Sequence, residues 1–159
     1  ALAMLGQSEA AVRGACRAQA HITHHNALSD AATETLALMV QAALHGSGTV
    51  RLLHDYAHPL AAQHPEFTFR AVRQRQNPSG YVVETLQAVF QSFFDTDDFE
   101  SCLIDVVNRG GDADTTGAIA GMLAGAVYGL DALPARWLDA LDADVRSACI
   151  RQADALIAM

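Results

Sequence analysis

The sequence predicts an all-α fold. Apolar residues recur at helical spacing along most of the chain, helix-capping residues stand where those stretches begin, and no alternating apolar–polar run is framed by hairpin turns. Ser8 caps a first helix that runs to about residue 25, and Ser29 or Asp30 caps a second that ends near Gly46. Residues 49–63 read as a third, which Pro59 ends or kinks near His58 because proline lacks the backbone donor. Residues 67–76 read as a short basic helix carrying Arg70, Arg73 and Arg75. Helices over 82–94 and 97–109 follow, the second opened by Asp97 with Glu100 three residues on as a capping pair. A glycine-lined helix after residue 112, then helices over 135–141 and 145–159, complete the chain.

The bulk properties bound what such a fold does. A chain of 159 residues with 51% hydrophobic content buries one sizeable core, and no linker or repeat divides it. A net charge of -8 excludes the basic footprint of a nucleic-acid binder. Cys16, Cys102 and Cys149 are odd in number and far apart, which suits a reduced, cytoplasmic protein rather than a disulfide scaffold. No run reaches the roughly 20 apolar residues of a membrane span, and no secretory signal is present.

Residues 108–129, NRGGDADTTGAIAGMLAGAVYG, concentrate the chemistry. Gly110 and Gly111 present Asp112, Asp114 and Thr115 on a loop that opens into a helix. Hard oxygen donors on such a loop suit a divalent cation such as Mg²⁺ or Mn²⁺, and glycine lets the backbone turn sharply beside it. The competing reading is a helix cap, since Asp and Thr favour that position. An EF-hand is excluded: counting from Asp112, the twelfth position is Leu123 instead of a bidentate glutamate. Gly117, Gly121, Gly125 and Gly129 recur every four residues, on one face of the helix. Each interior glycine costs roughly 1 kcal/mol relative to alanine, so a second helix is expected to approach that face closely. Gly129 is expected to terminate the helix at positive φ.

Two further segments are chemically suggestive. His21, His24 and His25 cluster near the end of the first helix; His21 and His25 have zinc-ligand spacing, but Ile22 stands where a zinc protease needs glutamate. Cationic histidines at a helix end are the plainer alternative. Asn77-Pro78-Ser79-Gly80 is a turn before an amphipathic helix. It serves either as that alone or as a ligand loop, with Ser79 and nearby N–H groups on a diphosphate and the Tyr81 ring against adenine or ribose.

The 108–129 segment resembles the downstream metal motif of the ADP-ribosylglycohydrolase family. AHITHHNALSDA (20–31) and NPSGYVVETLQ (77–87) match the same family in order, most closely its bacterial dinitrogenase reductase-activating branch. The resemblance implies a compact orthogonal multi-helix domain, of which residues 1–159 form the C-terminal part. It implies two divalent cations, Mn²⁺ or Mg²⁺, with Asp112, Asp114 and Thr115 as downstream ligands. His24, Ser79, Gly80, Tyr81, Gly110 and Gly111 become substrate-binding residues, Thr23-His24 being the match to the family's Thr-His. The implied reaction is removal of ADP-ribose from an arginine of nitrogenase reductase, with a PII-type regulator as a possible partner. Family relatives that act on ADP-ribosyl-serine or ADP-ribose esters, or that have lost catalysis, mark the alternatives. The family's Thr-Asp-Asp motif and its general base are expected upstream of Ala1, in a segment that this chain, which begins without a Met, does not contain. Thr96-Asp97-Asp98 lies in the wrong place to replace that motif.

Overall fold

The computed structural model describes residue 1 and residues 4–70 and 72–158; among them there are helices, turns and bends but no strand, so the all-α expectation holds. Helix α1 (Glu9–Ala20) starts as expected, with Ser8 Oγ accepting from the Ala11 N–H at 3.4 Å. It stops earlier than residue 25. The chain turns through residues 21–23, where β-branched Ile22 and Thr23 favour helix little, and the His24 N–H donates to Ala20 O at 2.8 Å. Helix α2 (Ala27–Leu44) is capped by Asn26 rather than by Ser29 or Asp30. From an extended backbone, Asn26 Oδ1 accepts from the N–H groups of Leu28 and Ser29 at 2.9 and 3.2 Å. Asp30 is left to pair with His21 at 2.9 Å.

Pro59 does not end its helix. Helix α3 (Thr49–Leu52) passes through a π-turn (Leu53–Ala57) into α4 (His58–Gln63), with the His58 N–H donating to Leu53 O. The widened turn directly before the proline accommodates its ring and missing donor.

The basic helix expected over residues 67–76 is absent: a 3-10 turn (Pro65–Phe67) leads into irregular chain. Two glutamines of helix α5 (Val82–Asp95) explain why. Gln87 Nε2 donates to Glu66 O and Thr68 O at 2.9 and 3.0 Å, and Gln91 Nε2 to Phe69 O and Arg73 O at 3.0 and 3.3 Å. Gln91 Oε1 also accepts the Arg75 N–H at 2.8 Å. Side chains from a neighbouring helix thus supply the partners that a helix would have supplied internally.

Helix α6 (Phe99–Asn108) is capped by Asp98, not Asp97: its Oδ1 accepts the Ser101 N–H at 2.8 Å and its Oδ2 the Ser101 hydroxyl at 2.7 Å. Glu100, the expected second half of the cap, pairs instead with Arg136. Helix α7 (Ala113–Tyr128) ends at Gly129, whose φ is 78°. Helices α8 (Ala135–Ala140) and α9 (Ala143–Ile157) follow, the latter capped by Asp142; Met159, in the expected last helix, lies outside the described residues.

The core lies where α2, α5, α6 and α7 converge, around Met39, Phe90, Phe93, Val106 and Leu123, with Leu52 and Phe67 closing one side. The glycine face of α7 meets α6. A Cβ at Gly117 would sit 3.2 Å from Val107 Cγ2, and one at Gly121 would sit 3.6 Å from Leu103 Cδ1. Among the described residues, no helix is long and apolar enough to cross a membrane.

Candidate active site where two loops meet

The α6–α7 loop and the turn before α5 are distant in sequence and bonded in space. The Asn77 N–H donates to Arg109 O, and the Asp112 N–H donates to Pro78 O, each at 2.8 Å. Such close backbone contact needs glycine. Gly110 and Gly111 have φ of 74° and 64°, and a Cβ on Gly111 would lie 2.2 Å from Pro78 O. Asn77 is the one non-glycine residue at positive φ (47°) among those described, a conformation asparagine tolerates better than most residues. A Cβ on Gly80 would stand 3.1 Å from Asp112 Oδ2, so the turn borders the carboxylate directly.

Asp112 occupies the cap position of α7, yet its side chain bonds no backbone N–H there. Its Oδ1 accepts instead from the Thr115 hydroxyl at 2.9 Å. The Asp114 carboxyl is held below the ordinary carboxylate range, first by the adjoining Asp112 side chain and then by N–H groups of the helix's first turn. Thr116, fully buried beneath, returns its hydroxyl to Asp112 O at 3.1 Å. Three hard-oxygen side chains thus gather at one helix end. Among the described residues, no three His, Cys, Asp or Glu side chains could by themselves enclose a metal ion. Two carboxylates and a hydroxyl are too few to enclose an ion alone, though hard oxygens of this kind are the donors a divalent cation takes.

A cavity of about 460 Å³ joins this loop to the other two segments; His24, Tyr81, Gly80, Thr85 and Thr115 are among its walls. The His24 ring is oriented by a 2.8 Å hydrogen bond between Nδ1 and the Thr23 hydroxyl. His21 is tied to Asp30 and its ring lies tilted against that of His25, centroids 4.2 Å apart; of the three histidines His24 lines the cavity. Tyr81 is 53% exposed, leaving a ring face open to a ligand. Ser79 differs from its sequence reading. Its N–H and hydroxyl both donate to Glu84 Oε2, at 3.0 and 2.7 Å, so neither donor is free for a diphosphate.

Glu84 is the residue that sequence reasoning missed, because a contact from a turn to the first turn of the next helix leaves no periodic signal. Its carboxyl is pulled below the usual glutamate range by the Ser79 hydroxyl, then by the Ser79 N–H, with Arg75 adding attraction. A second polar cavity, of about 340 Å³, lies between α1, α2 and α4. Its buried Glu34 is already paired with Arg13 and Arg17.

The chain is 49% identical, over 89% of its length, to ADP-ribosyl-[dinitrogen reductase] glycohydrolase of Rhodospirillum rubrum. It is 30% identical, over 77% of its length, to ADP-ribosylarginine hydrolase Tri1 of Serratia proteamaculans. It spans 47% and 35% of those two proteins, half their length or less. A solved structure, an ADP-ribosylglycohydrolase-related protein complex, superposes with a TM-score of 0.73 at 37% identity over 92% of this chain and 51% of that one. The family model described as ADP-ribosylglycohydrolase matches residues 1–159, and the chain belongs to that family.

Proposed function

We propose that the protein carrying this chain hydrolyses the N-glycosidic bond between ADP-ribose and a protein arginine, and that this chain supplies part of the active site. The observation that carries the reading is the joining of two loops beside one cavity: Thr115, Gly80, Tyr81 and His24 line it, and the Asp112 carboxylate borders Gly80. The names of the relatives from Rhodospirillum and Serratia support arginine-linked ADP-ribose as the substrate, and the former supports a nitrogenase reductase-like target. Regulation by a PII-type protein is a corollary of the family resemblance.

Departure of the guanidine leaves oxocarbenium-like charge on the ribose, so the site has to orient the sugar and direct a water at the anomeric carbon. Asp112, Asp114 and Thr115 offer oxygen donors suited to Mn²⁺ or Mg²⁺. When bound, such cations orient a diol and make water more acidic. Tyr81 packs a ring face against the nucleotide, and His24, set by Thr23, hydrogen-bonds the ribose or phosphates. Ser79 acts indirectly, fixing the turn through Glu84 so that Gly80 stays beside the carboxylate.

The test is release of ADP-ribose by the full-length protein from arginine-linked and serine-linked conjugates. Arginine release that falls at least a hundredfold in Asp114→Ala, with weakened Mn²⁺ binding and unchanged helicity, is the expected result. Preference for the serine conjugate would change the substrate. Binding of ADP-ribose without turnover of either conjugate would make the protein a recognition module. The isolated 159 residues, which span half the length of the Rhodospirillum and Serratia relatives or less, are expected to be inactive.

A further inference from the structure

Arg109 is the most deeply buried charged side chain among the described residues, and the proposed chemistry leaves it unused. It is 3% exposed and immediately precedes Gly110. Its guanidinium is gripped on two sides. Nε and Nη2 donate to Asp105 Oδ2 at 3.1 and 2.5 Å, and Nη1 donates to Gln91 Oε1 at 2.7 Å. Asp105 Oδ2 also accepts the Ser92 hydroxyl at 2.6 Å, so helices α5 and α6 both hold the same side chain. The backbone of Arg109 is in turn the acceptor for Asn77, one of the two bonds joining the loops.

A buried guanidinium needs its charge and its donors answered, and a planar fork answers them only in one orientation. Its placement here transmits the α5–α6 packing to the next residues along the chain. Gly110 and Gly111 contribute no side chain to fix themselves, and the following Asp112 and Asp114 are exposed or half-exposed. The Arg109 side chain is what anchors the loop into both α5 and α6, beyond its local backbone bonds and the Thr116 hydroxyl on Asp112 O. Gln91 ties the same unit to the chain before α5 through Phe69 O, Arg73 O and the Arg75 N–H.

We propose that Arg109, held by Asp105 and Gln91, is a positioning residue that sets the spacing of Asp112, Asp114 and Thr115 for a divalent cation. This inference rests on the functional reading above. The side chain of Arg109 touches no ligand; it acts through the loop.

The experiment measures Mn²⁺ affinity by calorimetry, together with kcat and KM on an arginine-linked conjugate, for full-length wild type, Arg109→Lys, Asp105→Asn and Leu52→Ala. Arg109→Lys keeps the charge but loses the fork, so Mn²⁺ binding is expected to weaken about ten- to hundredfold, as for other residues that orient metal ligands. At saturating Mn²⁺ kcat recovers and KM changes less than twofold. Asp105→Asn, the milder change, shifts Mn²⁺ affinity in the same direction by less. Leu52→Ala, in the core on α3, lowers the melting temperature without altering Mn²⁺ affinity. Wild-type Mn²⁺ affinity in both Arg109→Lys and Asp105→Asn, or an equal loss in Leu52→Ala, overturns the positioning role. Asp114→Ala, run alongside, separates the two levels: if it too binds Mn²⁺ normally, the cation site itself is wrong.

Discussion

Gly111 shows how little room separates the two loops. Gly46 also has positive φ (90°), but a Cβ there meets nothing within 4 Å, whereas at Gly111 it meets a carbonyl oxygen at 2.2 Å. Gly46→Ala therefore carries only backbone strain, about 1–2 kcal/mol. Gly111→Ala adds a steric clash and forces the loops apart, so denaturant unfolding should show a clearly larger loss, about 3 kcal/mol or more. Equal losses in the two variants would mean that the loops are not packed this closely. Glu84 carries a pH-dependent contribution of definite sign. Its folded-state pKa lies below the ordinary 4.5, so its hold on Ser79 is fully present above that value and is lost as pH falls through the lowered one. Melting temperatures of wild type and Glu84→Gln should differ above pH 4.5 and converge at lower pH. A constant gap across that range would show that the charge is not what holds the turn.

Helix α5 acts on structure beyond its own length. Gln91→Glu exchanges two donors for an acceptor facing Phe69 O and Arg73 O, while Arg109 would gain a charged partner. Unpaired buried carbonyls cost more than an already satisfied guanidinium gains, so a net loss of about 1–3 kcal/mol is expected by chemical denaturation. Unchanged stability would show that the two carbonyls find other partners. This helix also marks where sequence reasoning stops. The loop at Asp112, the turn at Asn77 and the glycine face of α7 are local patterns and can be read from neighbouring residues. Residues 67–76 carry helix-compatible residues and no breaker before Pro78, and only Gln87 and Gln91, remote in sequence, divert them. The engagement of Ser79 by Glu84 is likewise a contact that local pattern does not reveal. Caps miss by a residue or a few, at Asn26 and Asp98, because several capping residues stand side by side and backbone geometry picks one. At Pro59 the π-turn keeps the helix going where a proline rule alone ends it.

For the molecule as a whole, the cysteines grade exposure from surface to centre. Cys149 is exposed, Cys16 is partly covered, and Cys102 is buried between α6 and its neighbours, where desolvation pushes its thiol up to about 11. A thiol reagent at neutral pH should modify Cys149 first and Cys102 only at the rate of global opening. Modification of Cys102 as fast as Cys149 under native conditions would mean that α6 undocks locally. Such undocking would release the face on which the α7 glycines rest. The bonds between Asn77 and Arg109 and between Pro78 and Asp112 also make the site depend on the stretch of chain between them. They close a segment that contains all of α5 and α6, so their ends meet in the folded chain across the packing of both helices. Along the sequence the two aspartates and Tyr81 belong to separate pieces of chain. A change that unpacks either helix, even far from any residue of the site, is therefore expected to separate them again.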